Sequence, residues 1–142
     1  MTDDFTLLNF IRKNTEMGID GIKCVLDEDL DNGFKSVLTN QLDEYTRVYN
    51  SANTLLLSKG GVPEDVHAAS KIGTHITGII NTASSNAEQK IAESMIKGST
   101  MGVTKMTEYM NDYSGDDDGV MNLANCLKDM EENNIEEMKR FL

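Results

Sequence analysis

The sequence predicts an all-α protein, a four-helix bundle of two antiparallel hairpins with an additional helix at about 64–83 connecting them. Apolar residues recur at alternating steps of three and four along most of the chain, a spacing typical of amphipathic helices. A single proline in 142 residues leaves long segments uninterrupted, and no segment competes as a strand. A chain of this length suits one domain, which we place at 1–142.

The first two helices are predicted to form one hairpin. Residues near 4–28 place an apolar stripe along one side of a helix, and an acidic, turn-prone segment follows. Either Asp31 or Asn32 can cap the second helix, which we place at roughly 32–58. Lys59 and the two glycines after it end that helix, because a cation suits a helix C-terminus and glycine suits the position beyond it.

The third helix is predicted at about 64–83, because Pro63 suits its first position and two acidic residues suit its first turn. The apolar stripe of the following segment lies more than about a third of a turn away, so the third helix does not continue into it. Ser85 and Glu88 have the spacing of a capping box. We therefore place a break near 84–86.

The last two helices are predicted at roughly 86–113 and 118–141, and they form the second hairpin. The acidic turn at 114–119 joins them. Four of the five helices are about 36–42 Å long and the third is about 30 Å. Helices of matching length with short loops pack as antiparallel hairpins, and the third helix can travel back along the bundle to connect them.

A short repeat relates the two hairpins. The sequence TEMGI begins at Thr15 and STMGV begins at Ser99, so that Gly18 and Gly102 occupy matching positions. Both glycines fall on inward stripes, which predicts that a neighbouring helix crosses closely at each of them. Duplication of one helical hairpin and chance similarity both explain the repeat, and the matched helix lengths support duplication.

Composition and charge exclude several classes of function. The chain carries 24 acidic and 13 basic residues and a net charge of −11, which disfavours binding to nucleic acid or to anionic membranes. No apolar run could span a bilayer, and the acidic N-terminus lacks a signal-peptide pattern. We expect a cytoplasmic bacterial protein with no nucleic-acid or membrane partner. Its two cysteines, Cys24 and Cys126, are expected to be reduced thiols.

Three segments resemble those of a known group of proteins. They are KIAESMIKGSTMGV at 90–103, EENNIEEMKRFL at 131–142 and IRKNTEMGIDGIKCVL at 11–26. They look like small uncharacterised bacterial ferritin-like proteins, which include a domain-of-unknown-function family and clostridial proteins. The resemblance covers nearly the whole chain and implies a ferritin-like bundle. Ferritin-like enzymes hold two iron or manganese ions on four carboxylates and two histidines, with Glu-x-x-His on two helices.

This chain departs from the Glu-x-x-His pattern. Glu44 is followed three residues later by Arg47, and Glu131 is followed three residues later by Asn134. We expect no cofactor. If iron or manganese does bind, Glu16, Glu44 and Glu131 are the only carboxylates placed near the core and are therefore the candidate ligands.

Other candidate ligand residues have simpler explanations. Ser114 and Asn125 stand where a calcium loop needs Asp and Glu, so the acidic turn between them is interpreted as a helix cap. His67 lies near the start of the third helix and His75 lies off its apolar stripe, and both are expected to be solvated. Three inward polar side chains are expected to form a buried hydrogen-bond cluster, namely Thr15, Gln41 and Asn134.

The function we expect is that of a non-catalytic structural or interaction module. The first alternative is a metal-binding ferritin-like protein with an atypical carboxylate site, and the second is a helical regulator or adaptor with a small peptide ligand. A homodimer or another protein is the expected partner. Phe10, Met17 and Cys24 lie on one side of the first helix and could form a dimer patch, while Met101 is expected at the surface.

Overall fold

The computed structural model describes residues 1–64, 68–83 and 85–142, and these residues confirm the all-α class. The only extended pairing among them is an isolated bridge between Thr2 and Tyr113. Five helices follow one another along the chain: α1 (Asp4–Leu26), α2 (Asn32–Ser58), α3 (Ala68–Thr82), α4 (Ala87–Asp112) and α5 (Asp118–Lys139).

Aspartate side chains cap the N-termini of three of the helices. Asp3 accepts a hydrogen bond from the Thr6 amide at 2.8 Å, and Asp117 accepts one from the Val120 amide at 3.1 Å. Asp31 accepts from two amides at the start of α2, at 2.9 and 3.2 Å. The predictions of Asp31 as a cap and of the acidic turn as a helix cap are therefore confirmed.

The capping box predicted for α4 is wrong. The residue that precedes α4 is Asn86, and it makes no side-chain capping hydrogen bond. The Glu88 carboxylate instead accepts a hydrogen bond from the Asp31 amide at 2.8 Å. This bond joins the first turn of α4 to the loop between α1 and α2 at one end of the bundle.

The helices form two hairpins, as predicted. The loop 27–31 joins α1 to α2, and the loop 113–117 joins α4 to α5. The two helices of each hairpin run antiparallel; Arg12 in the first half of α1, for example, donates to Asn53 in the last turns of α2 at 2.5 Å. The two helices of each hairpin therefore pack against each other.

Aromatic contacts join the hairpins. Phe10 of α1 contacts Tyr109 near the end of α4, with ring centroids 4.6 Å apart. Phe34 at the start of α2 meets Phe141 just after α5 edge to face, with centroids 4.8 Å apart. Both contacts pair the start of one helix with the end of another, so α4 is antiparallel to α1 and α5 is antiparallel to α2. It follows that α2 and α4 run in the same direction.

The helix α3 returns the chain from the end of α2 to the start of α4. Near its start the Asn9 amide donates to the Val62 carbonyl at 3.3 Å, and further along Ile72 lies against Gly21. Contacts that advance along both segments show that α3 follows α1 in the same direction. Such a return is required because α2 and α4 point the same way.

The predicted start of the third helix is wrong at Pro63 and Glu64, which precede the helix. The Glu64 amide donates to the Asn9 side chain at 3.1 Å, and its carbonyl accepts from Arg12 at 3.1 Å. These bonds to α1 replace the bonds of a helical turn. The break predicted near 84–86 is confirmed, since α3 ends at Thr82 and α4 begins at Ala87, although Ser84 itself lies outside the described residues. His67 also lies outside them.

A polar cluster joins three segments of the chain at one end of the bundle. Lys59 forms ion pairs with Asp4 at 3.0 Å and with Asp117, and Tyr113 donates to Asp4. The Thr2 amide donates to the Asp112 carbonyl at 3.1 Å. These contacts tie the start of α1, the end of α2 and the turn between α4 and α5. Within the described ranges, no helix combines the length and the apolar character needed to cross a membrane.

Candidate functional site

A cavity of about 110 Å³ lies between α1, α3 and α4, and its floor is formed by side chains from α2 and α5. Apolar side chains make up most of its wall, and a few polar groups converge on it. The apolar lining consists of Met17, Ile22, Ile72, Ile76 and Met95, and the polar lining of Asn14, Tyr45, His75, Ser94, Ser99 and Glu131. All five helices contribute, so the cavity exists only in the folded bundle.

Glu131 places a carboxyl group inside the bundle. Its side chain is 1 % exposed, and the Asn14 amide donates to its Oε1 atom at 2.5 Å. None of the ion pairs among the described residues includes it. Burial raises its pKa to about 8, and the hydrogen bond from Asn14 acts in the opposite direction. At neutral pH the carboxyl group is therefore mostly protonated.

Gly102 makes room for this carboxyl group. A Cβ atom built on Gly102 would collide with both carboxyl oxygens of Glu131. The matching glycine has the same role in the first hairpin, since a Cβ on Gly18 would lie 2.8 Å from the Tyr45 ring. The predicted need for space at the two glycines is met by side chains, since each glycine accommodates a side chain from the second helix of its hairpin; a close helix crossing at these glycines stays a prediction.

Tyr45 lies beside Glu131 at the cavity floor. Burial raises the pKa of its phenol, the negative charge of Glu131 adds to this effect, and Ser99 and Asn134 act against it. The phenol therefore keeps its proton across the physiological range and can donate a hydrogen bond. The apolar stripe of α2 predicts Tyr45 as a core residue. It does not predict that Tyr45 lies near Glu131, because that proximity depends on how the two hairpins pack.

The three candidate metal ligands do not share a site. Glu16 is half-buried on α1 and lines neither this cavity nor the surface groove that contains Glu44, Arg47 and Cys126. Desolvation raises the pKa of Glu44, with Glu137 adding to the rise and Arg47 opposing it. Across the described residues, no three His, Cys, Asp or Glu side chains lie close enough to hold one metal ion.

The donor set at Glu131 does not match a dinuclear iron or manganese centre. Such centres use several carboxylates and two histidines, whereas the neighbours of this carboxyl group are the neutral side chains Asn14, Tyr45 and Ser99. The assignment of Glu16, Glu44 and Glu131 as ligands stays a prediction.

His75 contributes to the cavity despite lying off the apolar stripe of α3. Its ring is exposed, and Nε2 lies 3.2 Å from the Ser94 hydroxyl on α4. The prediction that His75 is exposed to solvent is therefore confirmed, but its ring also lines the cavity. Its position there follows from the packing of α3 on α4, which the stripe of a single helix does not reveal.

The predicted hydrogen-bond cluster of Thr15, Gln41 and Asn134 is wrong. The Thr15 hydroxyl donates within its own helix, to the Ile11 carbonyl at 2.8 Å. Gln41 is fully buried, and its side-chain amide has no hydrogen-bond partner among the described residues, whereas the buried Asn134 interacts with the Tyr45 phenol. A buried amide in the condition of Gln41 destabilises the fold, because its hydrogen bonds to water are lost and not replaced.

The patch expected on α1 is largely covered by other helices. Phe10 packs on Tyr109 of α4, Met17 lines the cavity, and Cys24 lies against Gly73 of α3. Met101 is 68 % exposed, as predicted. Both cysteines are free thiols, also as predicted.

Comparison with known proteins supports the fold. No protein-family model matches the chain, and no curated protein matches it. Among solved structures, the crystal structure of a DUF305 fragment from Deinococcus radiodurans is similar, with 16 % sequence identity and a TM-score of 0.77. The match covers 96 % of this chain and 92 % of that chain. The structural neighbour is thus a domain of unknown function, and the likeness concerns the helical fold.

Proposed function

We propose that this protein is a non-catalytic interaction module that binds a small organic ligand in the cavity between α1, α3 and α4. The observation that carries the proposal is the cavity itself, an apolar space that ends on the buried Glu131 carboxyl group. Cavities with apolar walls and a few convergent polar groups are typical of ligand sites, where the polar groups fix orientation.

The chemistry of the lining favours binding over catalysis. General acid–base catalysis works best with groups whose pKa values match the task and with a partner group in reach. In the described lining, Glu131 is the only carboxyl group, the raised pKa of Tyr45 keeps its phenol protonated, and the imidazole of His75 is hydrogen-bonded to the Ser94 hydroxyl. Neither cysteine lines the cavity, so the site offers no thiol nucleophile.

We further propose that the bundle is ferritin-like, and that the protein is a bacterial, clostridial-type protein of the cytoplasm. The helix directions support the ferritin-like plan: α2 and α4 run in the same direction, and a long connection containing α3 returns between them. The net charge of −11 supports partners other than nucleic acid or anionic membranes. A homodimer or another protein remains the proposed macromolecular partner.

A neutral probe tests ligand binding directly. The cavity of about 110 Å³ compares with roughly 150 Å³ for an engineered cavity that binds benzene, so it suits about four to six non-hydrogen atoms. We therefore choose n-butanol and follow ¹³C-labelled methionine methyl groups by NMR. Saturable shifts are expected at Met17 and Met95, which line the cavity, and not at the exposed Met101.

The variant Ile76→Phe provides the control for that titration. Ile76 is buried and lines the cavity, so a larger side chain should occupy the space that n-butanol needs. Loss of the saturable shifts in this variant supports the site. Absence of saturable shifts at Met17 and Met95 in the wild-type protein would refute the proposed function without reference to any variant.

Metal analysis addresses the alternative function, an iron- or manganese-binding protein with an atypical carboxylate site. The buried position of Glu131 at mid-bundle is the observation that favours this alternative. Protein purified without chelator and then titrated anaerobically with Fe²⁺ or Mn²⁺ separates the two functions. Two equivalents of tightly bound metal would overturn the proposal of a non-metal module.

A further inference from the structure

We propose that the cavity selects a short primary alkylammonium ion, whose charged head binds the Glu131 carboxylate and whose alkyl chain lies along the apolar wall. This inference rests on the proposed function and names the chemical class of its ligand. Three features of the site support it: a buried carboxyl group without a cationic partner, a set of oxygen acceptors around that group, and an apolar space of matching length.

The bundle supplies no cation to Glu131. Arg12 is the buried cation of the described chain, but its guanidinium is committed to Asn53 at 2.5 Å, to Asn9 at 3.2 Å and to the Glu64 carbonyl at 3.1 Å. Asn14 gives Glu131 one hydrogen bond and no charge. A buried carboxylate is costly unless a cation and hydrogen bonds accompany it, so a cationic ligand would supply what the protein leaves out.

The groups around Glu131 suit an ammonium head. A primary ammonium has three N–H donors and no acceptor. The carboxylate of Glu131 and the hydroxyl group of Ser99 are oxygen acceptors that line the same cavity, and the Tyr45 phenol, with which Ser99 and Asn134 interact, lies beside them. A metal ion would need further anionic or imidazole ligands, and no such group of three occurs among the described residues.

The remaining space suits a short alkyl chain. Ile72, Ile76 and Met95 form an apolar wall between α3 and α4. A cavity of about 110 Å³ accommodates about four to six non-hydrogen atoms, which is the size of a butylammonium ion. The apolar wall disfavours a polyhydroxylated cation, since its hydroxyl groups would lose their hydrogen bonds to water.

Binding of the ammonium ion requires loss of the Glu131 proton. Because the pKa of Glu131 is about 8, the ionised fraction rises about 50-fold between pH 6 and pH 8. The titratable groups that share the cavity are Tyr45 of α2, which keeps its proton in this range, and His75 of α3. The residues contributed by α1 and α4 are uncharged. The affinity for the ammonium ion should therefore increase with pH.

The decisive experiment compares two probes of the same shape, n-butylammonium and n-butanol, by methionine-methyl NMR and calorimetry. At pH 8 the ammonium ion is expected to bind at least tenfold more tightly than the alcohol. Its affinity should fall about 50-fold at pH 6, while that of n-butanol stays constant. The variant His75→Gln should retain this pH dependence, which assigns it to the carboxyl group and not to the imidazole.

The variant Glu131→Gln keeps the shape of the side chain and removes its charge. It should still bind n-butanol, which also demonstrates that it folds, and it should lose the preference for n-butylammonium and its pH dependence. Equal affinities for the two probes at pH 8, or a preference for the ammonium ion that survives in Glu131→Gln, would overturn the inference. Binding of n-butanol alone would overturn the inference and leave the proposed function intact, whereas failure of both probes would refute both.

Discussion

Replacing Glu131 by glutamine should remove most of the pH dependence of stability between about pH 5 and pH 8. The carboxyl group is buried beside neutral groups, and its folded-state pKa is about 8, compared with 4.5 for an ordinary glutamate. Between these values the folded protein holds a proton that the unfolded chain has released. Unfolding therefore releases a proton, and the free energy of unfolding falls as the pH rises.

The size of this effect follows from the width of the interval. Each pH unit changes the free energy of unfolding by about 1.4 kcal/mol, so the change from pH 4.5 to pH 8 amounts to about 5 kcal/mol. Typical domains have a total stability of about 5–15 kcal/mol, so the loss is a large share of the whole. The stabilising contribution of the protonated form is fully present below about pH 4.5 and is lost as the pH rises through about 8. Desolvation of Glu44 acts in the same direction.

Urea denaturation at pH 5, 6, 7 and 8 measures this dependence. The wild-type protein should lose stability steadily across the series, and Glu131→Gln should lose much less. The matched control is Glu132→Gln, which changes an exposed neighbour on the same helix and should follow the wild-type curve. Parallel curves for the wild-type protein and Glu131→Gln would refute the assignment of a proton to the buried carboxyl group.

Three further substitutions test the packing. Gly102→Ala should lower the free energy of unfolding by about 1–3 kcal/mol, because the new Cβ collides with Glu131, whereas Gly98→Ala in the same helix meets nothing within 4 Å and should be neutral or stabilising by up to about 1 kcal/mol. If the two substitutions changed the free energy of unfolding in urea by the same amount, the proposed contact between Gly102 and Glu131 would be contradicted. Gln41→Leu should raise stability by about 1–3 kcal/mol, because it removes a buried amide without partners; a lower melting temperature would show that the amide is satisfied. Asp31→Ala should cost about 0.5–2 kcal/mol through loss of the α2 cap, and an unchanged melting temperature would argue against that capping role.

Local signals explain why the helices could be predicted from the sequence. The bounds of α2 coincide with the predicted 32–58. Asp31 caps the start of the helix, and the amides of Lys59 and of the glycine after it bond to carbonyls in the last turn. These hydrogen bonds depend only on residues nearby in the sequence. At α3 the prediction failed, because the backbone of Glu64 binds Asn9 and Arg12 of α1. A residue more than 50 positions away decides that boundary, and no local pattern contains this information.

The candidate site was only partly accessible to sequence reasoning for the same reason. The sequence predicts Glu131 as one of three carboxyl groups near the core, and its burial agrees with that expectation. Its hydrogen-bond donor, Asn14, lies 117 residues away in the chain. The cavity depends on where α3 packs against α1 and α4. The sequence pattern of a helix shows which of its sides is apolar, but it does not show the distance between the apolar sides of two neighbouring helices.

The repeated glycines connect the architecture with the site. In each hairpin, a glycine on the first helix admits one side chain from the second, which is Tyr45 at Gly18 and Glu131 at Gly102. Use of one structural element twice would place two side chains at equivalent points of the two hairpins, and packing of the hairpins then brings these side chains together at mid-bundle. The hairpins differ in what fills the space at the glycine, an aromatic ring in one and a carboxyl group in the other. That difference places a carboxyl group and a phenol in the lining of one cavity, so substitution of either glycine should displace a group that the proposed ligand site uses.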